Sequence, residues 1–243
     1  MRLALLLSSL CGMIAACGPA AQTRPDPFTA SGEVIVLSGG RGGAANACFG
    51  CHGLAGEGDG TAAPRLAGLD AGYLQKQLDD YASGLRPDAT MQAAVRWLSA
   101  DDRRAVAAHY AALPAPAARP QRLAPPGLWA QGDAQRGVVA CAVCHGDDGR
   151  GVGAASPSLA GQPAAYTLDQ IRRWQAAERR NDARGVMAIA VAQVSPAQAS
   201  AIADWLEGQP ASPRPYSDAA RLSAAEAAGA RLAASRGTRR PGR

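Results

Sequence analysis

Apolar positions follow three different regimes along the chain. Behind Met1-Arg2, residues 3–16 are almost continuously apolar. That run is too short to cross a bilayer as a helix, and with its leading charge it reads as a secretory signal. Residues 18–32, rich in Pro, Ala and Thr, carry no core pattern and read as a tether. At 73–84 the spacing changes: apolar residues at 74, 78, 81 and 82 recur at helical intervals and predict a helix. Ser99-Ala100-Asp101-Asp102 and Ser195-Pro196-Ala197-Gln198 have the form of helix N-caps, with Pro196 at the first helical position. The helices they open run to about 113 and 206. Five prolines within residues 113–127 break the pattern and predict a semi-rigid connector between two domains.

Composition limits what those domains can be. The chain has 243 residues, 47% of them apolar, enough for one large domain or two small ones. Aromatic residues make up only 5%, so two cores built from side chains alone are thin and need another source of stability. The net charge of +5 is unevenly placed. Seven arginines against Asp218 and Glu226 give residues 211–243 that whole excess. The segments 33–118 and 128–210 are slightly acidic, with seven basic residues against nine acidic ones and seven against eight. No basic stripe interleaved with aromatics is present, which excludes nucleic acid as a partner.

The chemistry sits in two short motifs. Cys48-Phe49-Gly50-Cys51-His52 and Cys141-Ala142-Val143-Cys144-His145 are both C-x-x-C-H, the pattern of covalent haem c attachment. Two thiols three positions apart add to the two vinyl groups of one haem, and the next residue offers an imidazole to the iron. A thioredoxin-like dithiol explains neither the histidine nor the duplication. A Cys2His2 zinc site lacks a second Cys/His pair to complete it. The cysteines then close their account: Cys11 leaves with the signal and four bind haem, leaving Cys17. Ile14-Ala15-Ala16-Cys17 resembles the lipobox of bacterial lipoproteins, which implies acylation of Cys17 and a lipid anchor in a membrane. Ordinary cleavage after a small residue such as Ala20, with Cys17 lost, is the alternative.

A shift of 93 residues superposes the motifs and extends the match. Pro64-Arg65-Leu66-Ala67-Gly68 meets Pro157-Ser158-Leu159-Ala160-Gly161, each proline 12 residues after its histidine. Tyr73 meets Tyr166 and Gln77 meets Gln170. The second copy then gains three residues, after which Met91 pairs with Met187 and Ser99 with Ser195. Outside the signal these are the only methionines, one per repeat. A thioether is a soft ligand suited to haem iron, and filling gaps in the core is the other use of such a residue. His109, in an alanine-rich helical stretch, reads as an ordinary surface or helix-end residue.

Both repeats resemble class I cytochrome c domains, and the pair resembles the two-haem cytochrome c4 family over residues 33–209. The resemblance implies an all-α fold of two tandem domains, each wrapped around one covalent haem c. It implies that His52 and Met91 are the metal ligands of one iron, and His145 and Met187 those of the other. Pro64 and Pro157 resemble the family proline whose carbonyl accepts the proximal imidazole N–H, which fixes the ring. The expected organisation is signal 1–16, tether 17–32, domain 33–115, linker 116–127, domain 128–210 and basic tail 211–243. Residues 132–141 look like the usual short helix leading into the motif. Their counterpart in repeat one, Glu33-Val34-Ile35-Val36-Leu37 followed by Ser38-Gly39-Gly40-Arg41-Gly42-Gly43, holds four glycines that disfavour a helix and predicts a flexible lead-in that leaves the first haem more exposed.

An iron with six filled positions has no place for a substrate, so the function expected is outer-sphere electron transfer and not an enzyme's turnover. The resemblance implies a carrier on the periplasmic side of a bacterial membrane. It would pass electrons from a quinol-oxidising complex or a dehydrogenase to a haem–copper terminal oxidase. With four haem propionates added to acidic domains, a basic docking patch on such redox partners is expected. A cytochrome subunit of a larger dehydrogenase or oxidase complex is the alternative, followed by a dihaem redox enzyme. The tail reads as a solvated basic extension, with attraction to anionic lipid as the sharper reading.

Overall fold

The computed structural model describes residues 27–116 and 124–211. The signal, Cys17, the first part of the tether, the middle of the linker and the tail lie outside the described residues. Those described form ten α-helices and three 3-10 turns, and β-structure is limited to the isolated bridges Asp133–Val138 and Gly153–Ser156. The fold is all-α. Repeat one holds α1 (Pro27–Ser38), α2 (Phe49–His52), α3 (Ala71–Ser83), α4 (Ala89–Val95) and α5 (Ala100–Ala112). Repeat two holds α6 (Gly127–Gln131), α7 (Ala142–His145), α8 (Ala164–Gln175), α9 (Val186–Val191) and α10 (Pro196–Glu207).

Local chemistry sets the ends of these helices. Both terminal helices open with a reciprocal capping box. In α5, Asp102 N donates to Ser99 Oγ (3.1 Å) while Ser99 N donates to Asp102 Oδ2 (2.9 Å). In α10, Ser195 and Gln198 do the same at 3.3 and 3.0 Å. Helix α3 begins at Ala71, where the Asp70 carboxylate accepts from Tyr73 N at 3.0 Å, and ends at Gly84 with φ 79°. Each repeat keeps its own small core. Val36, Leu69, Leu74, Val106 and Tyr110 form the first, and Leu128, Trp129, Ile171, Ile202, Trp205 and Leu206 the second.

The lead-ins depart from expectation, before the glycines in repeat one and throughout in repeat two, while the glycine run itself, as expected, forms no α-helix. In repeat one the chain is helical from Pro27, inside the stretch read as tether. Val36 is buried, and Gly32 lies so close to α5 that a Cβ there would stand 2.1 Å from Ala105 O. Burial of an apolar face against α5 outweighs the weak helix propensity of the β-branched run. The glycines that follow form two 3-10 turns, with positive φ at Gly39, Gly40 and Gly43. In repeat two, residues 132–141 are not a helix. Gly132 and Gly137 have positive φ, and the Asp133 carboxylate accepts from Gln135 N and Arg136 N, a local turn that competes with helix. His109 is at a helix end, as expected, in the last turn of α5, but it is buried and not on the surface, under α1 and edge-on to Tyr110 at 5.4 Å between centroids.

The repeats meet across a polar seam. Gln77 Oε1 accepts from Arg86 Nη1 (2.8 Å), Arg179 Nη2 (3.2 Å) and Asn181 Nδ2 (2.8 Å). Gln170 Oε1 accepts from Arg86 Nη2 (2.7 Å) and Arg179 Nη1 (2.6 Å). Arg86 also lies over the Tyr81 ring, and Arg179 over the Trp174 ring. The glutamine–arginine pairs obey the 93-residue shift, Gln77 with Gln170 and Arg86 with Arg179, so each repeat presents this pair to the other as across a two-fold axis, while Asn181 has Asp88 as its counterpart.

The capping boxes give a direct check. Ser195→Ala should destabilise the protein by about 1 kcal/mol, and Ser195→Gly by only a few tenths. Denaturant unfolding reads this, and equal losses in the two variants would remove the side-chain cap as the cause.

Candidate functional site

Each C-x-x-C-H motif forms one short helix turn, α2 or α7, and each is followed by a loop that returns to its histidine. The loops are built alike. Gly58 N donates to His52 O at 2.9 Å, and Gly151 N to His145 O at 2.8 Å. Gly56 O accepts from Leu66 N and Ala67 N, and Gly149 O from Leu159 N and Ala160 N. Only glycine suits the hinge positions: φ is 69° at Gly56 and 74° at Gly149. A Cβ there would stand 2.8 Å from the Tyr110 ring or 2.6 Å from Leu206 Cδ2. The terminal helices hold the far ends, with Gly68 N donating to Tyr110 O (3.0 Å) and Gly161 N to Leu206 O (2.7 Å).

The consequence lies at the histidines. His52 Nδ1 donates to Pro64 O, and His145 Nδ1 to Pro157 O, both at 3.0 Å. Both imidazoles are buried. Burial pushes His52 below its ordinary pKa, partly opposed by the Pro64 carbonyl and by Asp59, and it lowers His145 in the same way. A neutral ring with Nδ1 engaged keeps the Nε2 lone pair for a metal. Burial also drives the Cys48 thiol up to about 11 and raises Cys141, so both are protonated at neutral pH. None of the four motif cysteines is in a disulfide, and Cys51 and Cys144 are exposed.

In repeat one the histidine faces a largely apolar cavity. Its walls include Leu74, Met91, Val106 and Tyr110, and its far side is closed by Leu159 and Tyr166 of repeat two. The structure thus brings His52, Pro64 and Met91 together around one cavity, while His109 is not on its wall. Met91 sits in the first turn of α4, where its amide donates to the Asp88 carboxylate at 3.0 Å. Met187 is placed likewise at the start of α9, its amide donating to Asp182 Oδ2 at 2.7 Å, and it packs on the second core. The three extra residues of repeat two fall just before it, in the turn Ala183–Gly185, where Arg184 has φ 58°.

Haem c fits these residues. The donor set is an imidazole and a thioether beside two unpaired thiols, and the cavity is apolar. The Tyr110 hydroxyl is buried beside it without a hydrogen-bond partner among the described residues, and Arg86 places a buried cation on its wall. Sequence reasoning missed Arg86, Arg179, Asp88, Asp182 and the two glycine hinges. The 93-residue shift aligns Arg86 with Arg179 and Gly56 with Gly149, a signal that was present but could not reveal burial.

Comparisons with known proteins agree with this geometry. The family model described as cytochrome c matches residues 39–113 and 132–210. The "thiosulfate dehydrogenase electron acceptor" of Stutzerimonas stutzeri (strain A1501) is 41% identical over 183 residues, 72% of this chain and 85% of that protein. The cytochrome c4 of Thiocapsa roseopersicina is 35% identical over 167 residues, 66% of this chain and 86% of that protein. The crystal structure of reduced recombinant cytochrome c4 from Pseudomonas stutzeri superposes with a TM-score of 0.65 at 26% identity, over 74% of this chain and 97% of that one. The chain therefore belongs to the cytochrome c family, as a cytochrome c4-like protein whose two tandem domains each carry one covalent haem c.

Proposed function

We propose that the protein is a dihaem electron carrier that takes electrons from a dehydrogenase, thiosulfate dehydrogenase in the first instance, and passes them to a terminal oxidase. Both irons are closed to substrate. Each haem supplies an iron that exchanges one electron without making or breaking a bond to a substrate. The residues Cys48, Cys51, Cys141 and Cys144 hold the two groups through thioethers. His52 and Met91 would hold one iron, and His145 and Met187 the other. The carbonyls of Pro64 and Pro157 fix the imidazoles and raise their basicity. The thioethers favour the reduced iron. Arg86, a buried cation on the cavity wall, is suited to a haem carboxylate.

The observation that carries this reading is the duplicated arrangement of a histidine braced at Nδ1 by proline and a methionine at the start of a capped helix. The donor is suggested by the 41%-identical relative named as an electron acceptor of thiosulfate dehydrogenase. Attachment through an acylated Cys17 on the periplasmic face of a membrane belongs to the same proposal, and the tether would supply reach toward partners. Contacts between such redox partners are small and short-lived.

Two measurements test it. The reduced, haem-loaded protein should bind no carbon monoxide, Met91→Ala should bind one per chain, and Met187→Ala should bind one at the other iron. Uptake by the unaltered protein contradicts the closed sites. Mixing the oxidised protein with thiosulfate dehydrogenase and thiosulfate should reduce both haems, at a rate that falls as salt rises. Reduction no faster than without the enzyme rejects this donor and turns attention to a quinol-oxidising complex.

A further inference from the structure

The two-fold seam is broken at several places, and one of them lies beside the histidine loops. Position 65 is arginine in repeat one, while its counterpart is Ser158, and Leu69 stands where repeat two has Gln162. Gln162 bridges the main chain of Arg65 across the seam, accepting from Arg65 N (3.1 Å) and donating to Arg65 O (2.9 Å). Leu69 cannot return that pair to Ser158. The Arg65 side chain reaches over instead: Nη2 donates to Ala160 O at 2.9 Å and Ser158 Oγ at 3.3 Å, and Nη1 donates to Ala67 O.

This guanidinium has 0% exposure, and all its partners are neutral oxygens. Its Nε has no hydrogen-bond partner among the described residues. Burial draws its pKa down to about 10, still well above neutrality, so the group remains a cation. Its ties run to both loops that brace the histidines: Arg65 and Ala67 follow Pro64, and Ser158 and Ala160 follow Pro157. One unneutralised charge thus sits between the two proximal loops.

We infer that Arg65 is a positioning and electrostatic residue for both haems, locking the two proximal loops together and raising both reduction potentials in parallel. A fixed buried cation favours the less positive, reduced iron. Because the charge sits between the two-fold-related loops, its effect falls on the mean of the two potentials more than on their difference. The inference rests on the assignment of Pro64 and Pro157 to the two haem sites.

Redox titration of the haem-loaded protein and its Arg65→Met variant provides the test. Each haem's reduction equilibrium constant should fall by about tenfold, the size of one charge acting across an interior on the order of 10 Å thick. For a one-electron centre that is about 59 mV. Arg65→Lys keeps the charge and should stay within about twofold of the parent. The thioether-to-iron absorption band, recorded on each variant, separates failure of the inference from failure of the ligand assignment. With that band intact, unchanged potentials in Arg65→Met overturn the inference. So does a fall in Arg65→Lys as large as that in Arg65→Met, since the effect is then geometric.

A second route leaves Arg65 in place. Ser158→Asp sets a carboxylate beside the guanidinium, with Ser158→Asn as its size-matched control. Both potentials should fall in Ser158→Asp and hold in Ser158→Asn. This pair decides the matter where Arg65→Met fails to load both haems, and equal potentials in the two variants overturn the inference.

Discussion

Everything in this molecule depends on a hydrogen bond between a histidine and a proline carbonyl, made twice. The proline reaches the imidazole only because the loop between them folds over a glycine hinge and is pinned at its far end by the terminal helix. Tyr110 and Leu206 differ in chemistry yet do the same job, offering a main-chain carbonyl to Gly68 or Gly161 and a side chain against which only glycine fits. The capping boxes at Ser99 and Ser195 set where those helices start, and hence where their last turns meet the loops. A local rule of helix chemistry is in this way connected to the orientation of a buried imidazole.

The second constraint is where the buried charge goes. Arg65, Arg86 and Arg179 are all buried at the junction of the repeats, and their side-chain partners there are glutamines, an asparagine, a serine, a tyrosine and main-chain oxygens. Stripping water from three guanidinium groups is costly without compensation. The seam turns these charges toward neutral oxygens rather than carboxylates, and its low dielectric makes each charge count further than it would in water. The thin side-chain cores have their own explanation: a macrocycle in each domain completes what few aromatics begin.

Much of this was legible in the sequence because it is repeated. The C-x-x-C-H motifs, the proline 12 residues on and the lone methionine of each copy stand in register, and the helix starts at Ser99 and Ser195 carry their own chemical signature. What escaped reading was what tertiary contact decides. Glu33-Val34-Ile35-Val36-Leu37 looks poorly helical in isolation, but its face is buried on α5. Residues 132–141 lack a strong breaker other than glycine, yet Asp133 turns the chain locally. His109 looked like a surface residue because nothing in its neighbourhood announces that α1 covers it. The buried arginines are the hardest case, since arginine is ordinarily exposed and only the partner repeat makes these positions interior.

An electron carrier of this kind requires two irons alike in ligation and closed to substrate. Near-infrared magnetic circular dichroism of the oxidised, haem-loaded protein reads this directly, because a thioether ligand to ferric haem gives its own charge-transfer band. The account predicts that band at an intensity of two histidine–methionine irons per chain, with no high-spin signal. One such iron together with a high-spin or bis-histidine partner would contradict it.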